Sequence, residues 1–470
     1  MKDSRQAASE NEPLLQAALQ AHQAGDFPRA EALYQDILRV CPDHLDARIS
    51  LCLLYQSAGD RDRGRRCFEE TRQLAPPDPD LHVQLGAICH HQGEPELAMS
   101  FYRQALSADP SHHQAWYNLG TISLHQGELA AAVEAYERAL AIAPEDVDTL
   151  YNLALTLTGL EKFAAAAHFY HRALAVAPAD RDVLYNLGVL YRKMSRYAEA
   201  LRCFQQVVEL DPDYAPAHGH LGVMLVELEE KKLAIACFEK LVALDHQAES
   251  ARHMLAALRD QTPPAPPRAY IAGLFDSYAG KFESELMEEL GYRAPFLLAE
   301  LLRETTGDAM HQRLLDLGCG TGLAGEAFLS CAASLTGVDL SAAMLEKARG
   351  KKIYDALHCQ DLLDFCRTSP TRYDLAVAAD VLNYLGDLEP FFQALPNCLQ
   401  AGGLLLFSIE EGAEKGFSLQ VSGRYAHAPQ YVRALAARSN FRLISERRTG
   451  LRRERDRWLA GRLYLLQLAD

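Results

Sequence analysis

The residues best suited to chemistry lie in the second half of the chain, where an acidic residue and three glycines follow an apolar run. Asp316 ends this run. The glycines then alternate with other residues and are Gly318, Gly320 and Gly322. Glycines after a buried strand let the backbone turn tightly and pass close to a ligand. Asp339 follows one strand later, and its carboxylate can accept hydrogen bonds from both hydroxyls of a ribose. These residues predict a site for a cofactor that contains a nucleoside.

A dinucleotide fingerprint can be drawn on the same stretch, as Gly320-Thr-Gly322-Leu-Ala-Gly325. In that pattern the glycines bring a pyrophosphate onto a helix N-terminus, and an acidic residue follows about 20 residues later. Asp339 comes too soon for that spacing. A cofactor with one nucleoside is therefore the first interpretation, and a dinucleotide is the second.

The order Asp316-x-Gly318-x-Gly320-x-Gly322, followed by Asp339, resembles the S-adenosylmethionine site of class I methyltransferases. The resemblance continues through 359–362, 373–380 and 401–408. It implies that residues 269–470 form an α/β Rossmann-like class I methyltransferase domain with a seven-stranded sheet, whose last hairpin is antiparallel. It also implies S-adenosyl-L-methionine as the cofactor and methyl transfer as the activity.

The same resemblance implies roles for individual residues. The three glycines would admit the methionine portion of the cofactor, and Asp339 would hold its ribose. Asp316 and Asp380 would lie near the charged amino group. The residues expected around the adenine are Leu340, Met344, Asp361 and Leu362, with the Asp361 carboxylate accepting from the exocyclic amine.

A segment ahead of the glycines, residues 269–295, is similar to one that folds over cofactor and substrate in related methyltransferases. The resemblance makes Phe275, Tyr278 and Phe282 lid candidates, with Tyr278 as a cofactor contact. Periodicity alone would place the three rings on the apolar face of an amphipathic helix.

The elements that must position these residues alternate along the chain. Apolar runs predict strands near 313–317, 334–338, 355–359, 373–379 and 403–409, with helical stretches between them. This alternation is typical of a parallel sheet with helices on both faces. Two further strands, near 441–446 and 462–468, would pair as the antiparallel hairpin. Ligands of such sheets lie beyond the carboxyl ends of the strands, where the motifs above fall.

The methyl acceptor is expected near the segment Ser422–His427, which follows the fifth strand. Arg424 and Tyr425, with Glu410, are candidates for binding a polar or anionic acceptor. His427 is a candidate base and Tyr384 a second catalytic candidate. The alternative is that the segment is only a turn before a helix at 428–438. No metal site is predicted.

Six arginines cluster near the C-terminus, interrupted by Glu446, Glu454 and Asp456. They are Arg447, Arg448, Arg452, Arg453, Arg455 and Arg457. A solvated hairpin is the first interpretation of this cluster. A funnel for an anionic substrate is the alternative.

The first half of the chain repeats every 34 residues. Prolines fall at 42, 76, 110, 144, 178 and 212, and an aromatic residue recurs in the same register from Tyr34 to Phe238. This pattern resembles tetratricopeptide repeats, which have two antiparallel helices per unit. We expect seven repeats and a capping helix to form an all-α solenoid over residues 11–259, the kind of fold that usually binds proteins or peptides.

Three of the repeats carry a Tyr-Asn pair on their first helix. The asparagines are Asn118, Asn152 and Asn186. Their amides could line the groove of the solenoid as a ladder, and the resemblance to other repeat proteins with such ladders implies binding of an extended peptide through its backbone. The alternative is that Tyr-Asn-Leu is only a stable helical sequence for this scaffold.

Composition narrows the class of protein. The net charge of −16 argues against non-specific binding of nucleic acid, whose phosphates require Lys and Arg. Eleven cysteines without a Cys-x-x-Cys pair fit free thiols, and no long apolar run predicts a membrane span, so we expect a cytoplasmic protein. The segment 260–268, rich in proline, predicts a stiff linker between the solenoid and the second domain.

Three functions are compatible with this sequence. The first is an S-adenosylmethionine-dependent methyltransferase whose repeats bind a protein partner or a protein substrate. The second is a methyltransferase for a small carboxylate or quinone precursor, in which the repeats serve only assembly. The third, a scaffold without activity, is disfavoured because Asp316, Asp339 and the three glycines are all present.

Overall fold

The computed structural model describes residues 2–74, 78–91, 93–278, 283, 290–307, 309–412, 415–454 and 457–469. The chain forms two compact units, Met1–Pro212 and Asp213–Asp470. In the described part of the chain, no helix combines the length and the apolar composition needed to cross a bilayer.

The first unit is built from helices that pack as consecutive pairs, as the repeats predict. Each aromatic residue of the register lies on the second helix of a pair. Three of these rings, those of Tyr102, Tyr136 and Phe204, cover a glycine of the first helix: a Cβ added to Gly120 would lie 2.6 Å from Cε1 of Tyr136. The helices are Lys2–Gln23, Phe27–Val40, Leu45–Ser57, Arg61–Leu74, Pro79–His91, Pro95–Ala108, His113–His125, Leu129–Ile142, Val147–Gly159, Phe163–Val176, Arg181–Lys193 and Tyr197–Leu210.

The second unit begins with one more helix pair, Ala215–Glu227 and Lys231–Leu244. Helix Glu249–Leu258 packs on the second of these helices, at the place where the sequence predicts a capping helix. Helix Arg268–Tyr278 follows and contacts this cap helix.

A mixed sheet forms the rest of the second unit. Its strands are β1 Leu314–Leu317, β2 Leu335–Asp339, β3 Ala356–Cys359, β4 Tyr373–Ala378, β5 Leu399–Glu411, β6 Phe417–Leu419, β7 Tyr425–His427, β8 Phe441–Glu454 and β9 Arg457–Leu468. The helices around it are Ala294–Thr306, Leu323–Phe328, Ala342–Lys351, Leu362–Thr368, Glu389–Ala394 and Pro429–Arg438.

The topology confirms the predicted fold class, an all-α repeat region followed by an α/β domain. The strand order is β3-β2-β1-β4-β5-β7-β6, and β9 pairs with both β5 and β8. Strands β1 to β5 run parallel, whereas β8 and β9 form the expected antiparallel hairpin. The short strands β6 and β7 lie where the sequence suggested a loop, which raises the described sheet from seven strands to nine.

Two apolar clusters cover the sheet. Phe407 of β5 belongs to one cluster, and Leu406 belongs to the other. Because successive side chains of a strand point to opposite faces, the two clusters lie on opposite sides of the sheet. The polar strand ends are thereby held between two packed layers, and the candidate site lies at these ends.

Candidate functional site

The glycine loop after β1 is pressed against the neighbouring parts of the sheet. The backbone N–H groups of Gly318 and Cys319 donate to the Val338 carbonyl, at 2.8 and 3.0 Å. Gly318 has a φ of 68°, and a Cβ there would lie 2.5 Å from Cγ2 of Val381. A larger residue would therefore be strained in backbone and in packing. This loop forms one end of a cavity.

Asp339 lies at the end of β2, beside the glycine loop. Its Oδ2 accepts from the Gly320 N–H and its Oδ1 from the Ser341 N–H, both at 2.8 Å. Burial raises the pKa of this carboxyl, although the three backbone N–H groups around it act in the opposite direction. The two hydrogen bonds fix the plane of the carboxylate at the edge of the cavity.

Asp361 begins helix Leu362–Thr368 and caps its N-terminus. Its Oδ1 accepts from the backbone N–H groups of Leu363 and Asp364, at 2.9 and 3.2 Å. Its Oδ2 lies 3.6 Å from Nε of Arg268, which also donates to Asp364. The Asp361 carboxylate therefore has a structural role in the helix as well as a place on the cavity wall.

One cavity of about 510 Å³ connects these residues to a second group of polar side chains. At its far end lie Tyr384, Ser422, Arg424 and Arg452. Tyr270 and Phe275, from helix Arg268–Tyr278, form part of its apolar wall. The volume lies in the range of about 300–1,000 Å³ that is usual for small-molecule sites.

The far end of the cavity is held by a buried network of charges. Arg452 is 3% exposed and donates to Asp380 Oδ2 and to Glu410 Oε1, both at 2.5 Å. Arg424 also donates to Glu410 Oε1, at 2.6 Å, and to Glu454. Burial alone would raise the pKa of Glu410, but Arg424 and Arg452 hold it below its usual value. Both guanidinium groups are thus already neutralised by carboxylates of the protein.

Tyr384 and Asp380 complete this end. Burial raises the pKa of Tyr384 to about 12, so its hydroxyl is protonated at neutral pH. Its ring contacts Phe275 edge to face, with centroids 5.0 Å apart. Asp380 has a φ of 58°, which is uncommon for a residue other than glycine, and its N–H donates to Ser408 Oγ. Such backbone strain is frequent in functional sites.

The structure brings most of the predicted cofactor residues to the cavity. The predicted cofactor residues that line it are Gly318, Gly320, Asp339, Leu340, Asp361, Leu362 and Asp380. Gly322, Asp316 and Met344 are not among its described lining residues. Met344 is fully buried, and Asp316 faces Tyr354, whose hydroxyl donates to its Oδ2 at 2.6 Å. Burial raises the pKa of Asp316 to about 7.

Tyr278 and Phe282 cannot be placed in the same way. Tyr278 ends a described helix, but its side chain lies outside the described residues, as does the whole of Phe282. Of the lid 269–295, the described part contributes Tyr270, Phe275 and Tyr292 to the cavity wall.

The acceptor residues expected from 422–427 separate into two groups. Arg424 lines the cavity, and Glu410 lies behind it. Tyr425 and His427 are fully buried and are not among the described lining residues. The reason is the unpredicted strand β7, which turns these side chains into the packed interior.

His427 is placed poorly for a base. Its Nε2 lies 3.0 Å from the carbonyl oxygens of both Leu385 and Gly386, so this nitrogen carries the hydrogen. Burial lowers the pKa of the ring to about 4. Its remaining nitrogen, Nδ1, is buried without a described partner. The ring therefore fixes the 385–386 backbone.

Sequence reasoning missed two contributions to the wall. Arg452 was grouped with solvated arginines, and its neighbours do pair on the surface: Arg448 is 66% exposed beside Glu411. The second is the segment 260–268, whose Ala265, Pro266 and Arg268 line the cavity instead of only spacing two domains. No composition signal marks either contribution.

Two of the three asparagines of the repeats form hydrogen bonds between repeats. Nδ2 of Asn152 donates to the Tyr117 hydroxyl at 3.1 Å, and Nδ2 of Asn186 donates to the Tyr151 hydroxyl at 3.0 Å. Asn118 instead accepts from Gln114 in its own helix. These contacts give the Tyr-Asn pairs a structural role in the first unit, and the amide oxygen of Asn118 is itself engaged within its helix.

Comparison with known proteins agrees with this architecture. Residues 315–405 match a methyltransferase domain family. Residues 92–218 match the TPR domain of cytochrome c-type biogenesis protein H, and 49–113 and 188–249 match a tetratricopeptide repeat family.

Two curated relatives match between about a quarter and a third of the chain. It is 29% identical to a ubiquinone biosynthesis O-methyltransferase of Bordetella pertussis over 129 residues, which are 26% of this chain and 52% of that protein. It is 27% identical to the protein of the same name from Coxiella burnetii over 162 residues, 31% of this chain and 68% of that one. The chain thus spans about half the length of the first relatives that it matches.

The chain is also similar to solved structures of tetratricopeptide-repeat proteins. YrrB, described as a TPR protein with an unusual peptide-binding site, is 25% identical with a TM-score of 0.36, covering 40% of this chain and 96% of that one. The C-terminal part of a TPR repeat-containing protein from Cytophaga hutchinsonii is 13% identical with a TM-score of 0.43, covering 51% and 98%.

Proposed function

We propose that this chain, a tetratricopeptide-repeat protein with a class I methyltransferase domain, transfers a methyl group from S-adenosylmethionine to an oxygen atom of a small molecule. The observation that carries the proposal is the cavity that joins Asp339 at one end to Asp380, Tyr384 and Arg424 at the other. A cavity of this kind can hold two small reactants side by side and exclude bulk water, which methyl transfer requires.

The residues at the glycine end fit the proposed cofactor. Each oxygen of Asp339 holds one backbone N–H and keeps a lone pair that a ribose hydroxyl can use. Leu340 and Leu362 supply apolar surface, and Asp361 supplies a second carboxylate. When bound, S-adenosylmethionine supplies a methyl group that its sulfonium makes reactive. The protein must therefore bind, orient and shield an acceptor.

Asp380 is the residue to which we assign the acceptor's proton. It is a carboxylate on the wall at the acceptor end, held at Oδ2 by Arg452 and at Oδ1 by Asn383. In the transfer a carbon–oxygen bond forms, the carbon–sulfur bond breaks, and the hydroxyl proton passes to Asp380. The Tyr384 hydroxyl is protonated at neutral pH, so it can form a hydrogen bond to the acceptor but cannot take up its proton.

Two observations support an oxygen acceptor without a formal negative charge. Arg424 and Arg452 are each paired with carboxylates of the protein, so a second anion would add like charge to the network. The matched relatives bear the name O-methyltransferase. A phenol is an uncharged oxygen acceptor and agrees with both observations. Its ring would also pack against the aromatic side chains of Tyr270, Phe275 and Tyr384 in the wall.

A second candidate takes a protein as the acceptor. It is favoured by the tetratricopeptide repeats, which match family models over much of the first half of the chain. Solenoids of this kind commonly serve as binding surfaces. In this function a side chain of the bound protein would enter the cavity in place of a small molecule.

The donor half of the proposal is tested by calorimetry with the full chain. We expect S-adenosylmethionine to bind the wild type, and Asp339→Ala to weaken binding by about 100-fold, since two hydrogen bonds to a charged group are lost. Asp355→Ala is the matched control, because the carboxylate of Asp355 accepts from the Leu335 N–H and Asp355 is not among the described lining residues of the cavity. If Asp339→Ala binds as tightly as the wild type, the cofactor assignment fails.

The acceptor half is tested with S-adenosylmethionine carrying a tritiated methyl group. The full chain is offered soluble phenols, carboxylic acids and amines separately, and then a dialysed lysate that retains only macromolecules. We expect label in phenols. Label that enters only the protein fraction would overturn the small-molecule proposal and support the second candidate, and label confined to the amines would exclude an oxygen acceptor.

A further inference from the structure

The cap helix Glu249–Leu258 lies against the acceptor end of the cavity. His253, on this helix, is 3% exposed, and its Nε2 lies 2.9 Å from the carbonyl oxygen of Gly423. The carbonyl can only accept, so Nε2 carries the hydrogen. The two residues are 170 positions apart in the chain. The contact therefore joins the helix that ends the repeats to a turn of the catalytic domain.

Gly423 is enclosed by residues of the first part of the second unit. It has a φ of 79°, and a Cβ there would collide with the Tyr270 hydroxyl and lie 3.2 Å from Sδ of Met254. The ring of His253 stands 4.6 Å from that of Tyr270, centroid to centroid. The turn at Gly423 thus packs against Tyr270 and Met254 and accepts a hydrogen bond from His253, and all three residues lie outside the sheet.

This turn carries two side chains of the cavity wall. Gly423 is flanked by Ser422 and Arg424, both of which line the cavity. The turn is closed by its own hydrogen bonds, from the Gly423 N–H to the Gln420 carbonyl and from the Gln420 N–H to the Arg424 carbonyl. Because it is closed, a displacement of Gly423 would carry Arg424 with it, and Arg424 would leave Glu410.

The segment after the cap helix makes the same connection. The Thr262 hydroxyl accepts from the Leu419 N–H at 3.3 Å, and the Pro264 carbonyl accepts from the Asp387 N–H at 2.7 Å. Ala257 of the cap helix shares an apolar cluster with Leu419 and Tyr425. The contact at His253 is therefore one part of a continuous seam along the acceptor end.

We propose that His253 is a positioning residue for methyl transfer: through the Gly423 carbonyl it holds the 420–424 turn, and with it Arg424, at the acceptor wall. The role of His253 in methyl transfer rests on the proposed function. Its role in holding the 420–424 turn does not. His253 makes the cap helix of the repeats a working part of the acceptor site, while the glycine loop and Asp339 lie outside its reach.

The test compares three variants of the full chain. His253→Phe keeps an aromatic ring beside Tyr270 and removes the donor. His253→Gln keeps an N–H donor at nearly the same distance from the backbone. His246→Phe makes the same chemical change at an exposed loop position whose side chain has no described partner, and it serves as the control.

The first measurement is amide hydrogen exchange of peptides that contain residues 417–427. We expect exchange in this turn to be about tenfold faster in His253→Phe, because a buried carbonyl has lost its donor. In His253→Gln it should return to within about threefold of the wild type, and His246→Phe should match the wild type. Unchanged exchange in His253→Phe, or equal acceleration in His253→Gln, would overturn the inference, since the hydrogen bond would then not hold the turn.

The second measurement separates catalysis from donor binding. With the best phenol acceptor, His253→Phe should raise the acceptor KM about tenfold and leave the dissociation constant for S-adenosylmethionine within twofold, with rescue by His253→Gln. A KM that stays at the wild-type value while exchange accelerates would remove the catalytic role. Failure of the proposed function looks different: the wild type itself would not bind S-adenosylmethionine, and the exchange result would still stand.

Discussion

Arg452 offers the sharpest test of the charge network at the acceptor end. We consider Arg452→Met, which keeps an unbranched side chain of similar length and removes the charge. In the wild type the guanidinium contacts Asp380 and Glu410, and both Arg452 and Glu410 are 3% exposed. Removing one partner of a buried ion pair usually costs about 3–5 kcal/mol, because the remaining charge stays buried.

The structure places the expected loss near the lower limit of that range. Glu410 keeps Arg424 at 2.6 Å and the Asn383 amide at 3.0 Å, so only part of its compensation disappears. Asp380 keeps the Asn383 amide at 3.1 Å but loses its cation. We therefore expect the free energy of unfolding of the second unit to fall by about 3 kcal/mol at pH 7.

The assay uses the two tryptophans of the chain. Trp116 lies in the first unit and Trp458 in the second, on β9 beside Arg453. In a Trp116→Phe background, the fluorescence of Trp458 reports urea unfolding of the second unit alone. Arg448→Met is the matched control on the same strand. Its side chain is 66% exposed in its pair with Glu411, so it should cost less than about 1 kcal/mol.

The pH dependence supplies a second criterion. Arg424 and Arg452 hold the pKa of Glu410 below its usual value, so Glu410 stabilises the fold above its unfolded pKa, and this contribution is lost as the pH falls through the folded pKa. Arg452→Met raises that folded pKa. The difference in the free energy of unfolding between wild type and Arg452→Met should therefore become smaller as the pH falls from 7 to about 4. If Arg452→Met lowers the free energy of unfolding by less than about 1 kcal/mol at pH 7, or by no more than Arg448→Met does, then Arg452 does not stabilise the second unit through a buried charge network.

Two other substitutions test buried titratable groups. Burial raises the pKa of Asp316 to about 7, so the wild type loses stability as the pH rises from about 4 to 7, whereas Asp316→Asn should not. Denaturation at pH 5 and pH 8 measures this, and a variant that loses as much stability between these two pH values as the wild type does would contradict it. His427→Gln should keep methyl transfer within about threefold, because the ring only donates to backbone carbonyls and an amide can replace it; a loss of a hundredfold in kcat would restore His427 as a catalytic candidate.

The residues at the glycine end of the cavity could be predicted to lie together because their sequence signals are local. Asp316, the glycines and Asp339 lie at the ends of two adjacent parallel strands, and an apolar run followed by a polar residue marks each strand end. The repeats were predictable for a similar reason, since the same prolines and aromatic residues recur every 34 residues. Both predictions depend on patterns within short windows of the chain.

The acceptor end was not predictable, and β8 shows why. Strict alternation along a strand places only one of two successive side chains in the interior. In β8 the register shifts between Gly450 and Arg453, and both Leu451 and Arg452 are buried as a result. A bulge of this kind redirects a side chain without any mark in composition. An arginine among five others therefore looked solvated, although it lies at the centre of the charge network.

The role of the proline-rich segment 260–268 was not predictable either. Proline lacks an N–H, so it suits a spacer, but its carbonyl remains a full acceptor. Pro264 uses that carbonyl to hold the Asp387 N–H beside the cavity, and Ala265 and Pro266 line the wall. A fragment that begins at residue 262 would keep these contacts but lose His253 and Ala257, so the Gly423 carbonyl would lose its donor and the Tyr425 ring would lose its contacts with the cap helix. Because the contacts of the chain divide at Pro212, and not in this segment, a fragment meant to retain the acceptor site should include the helices from Ala215 onward.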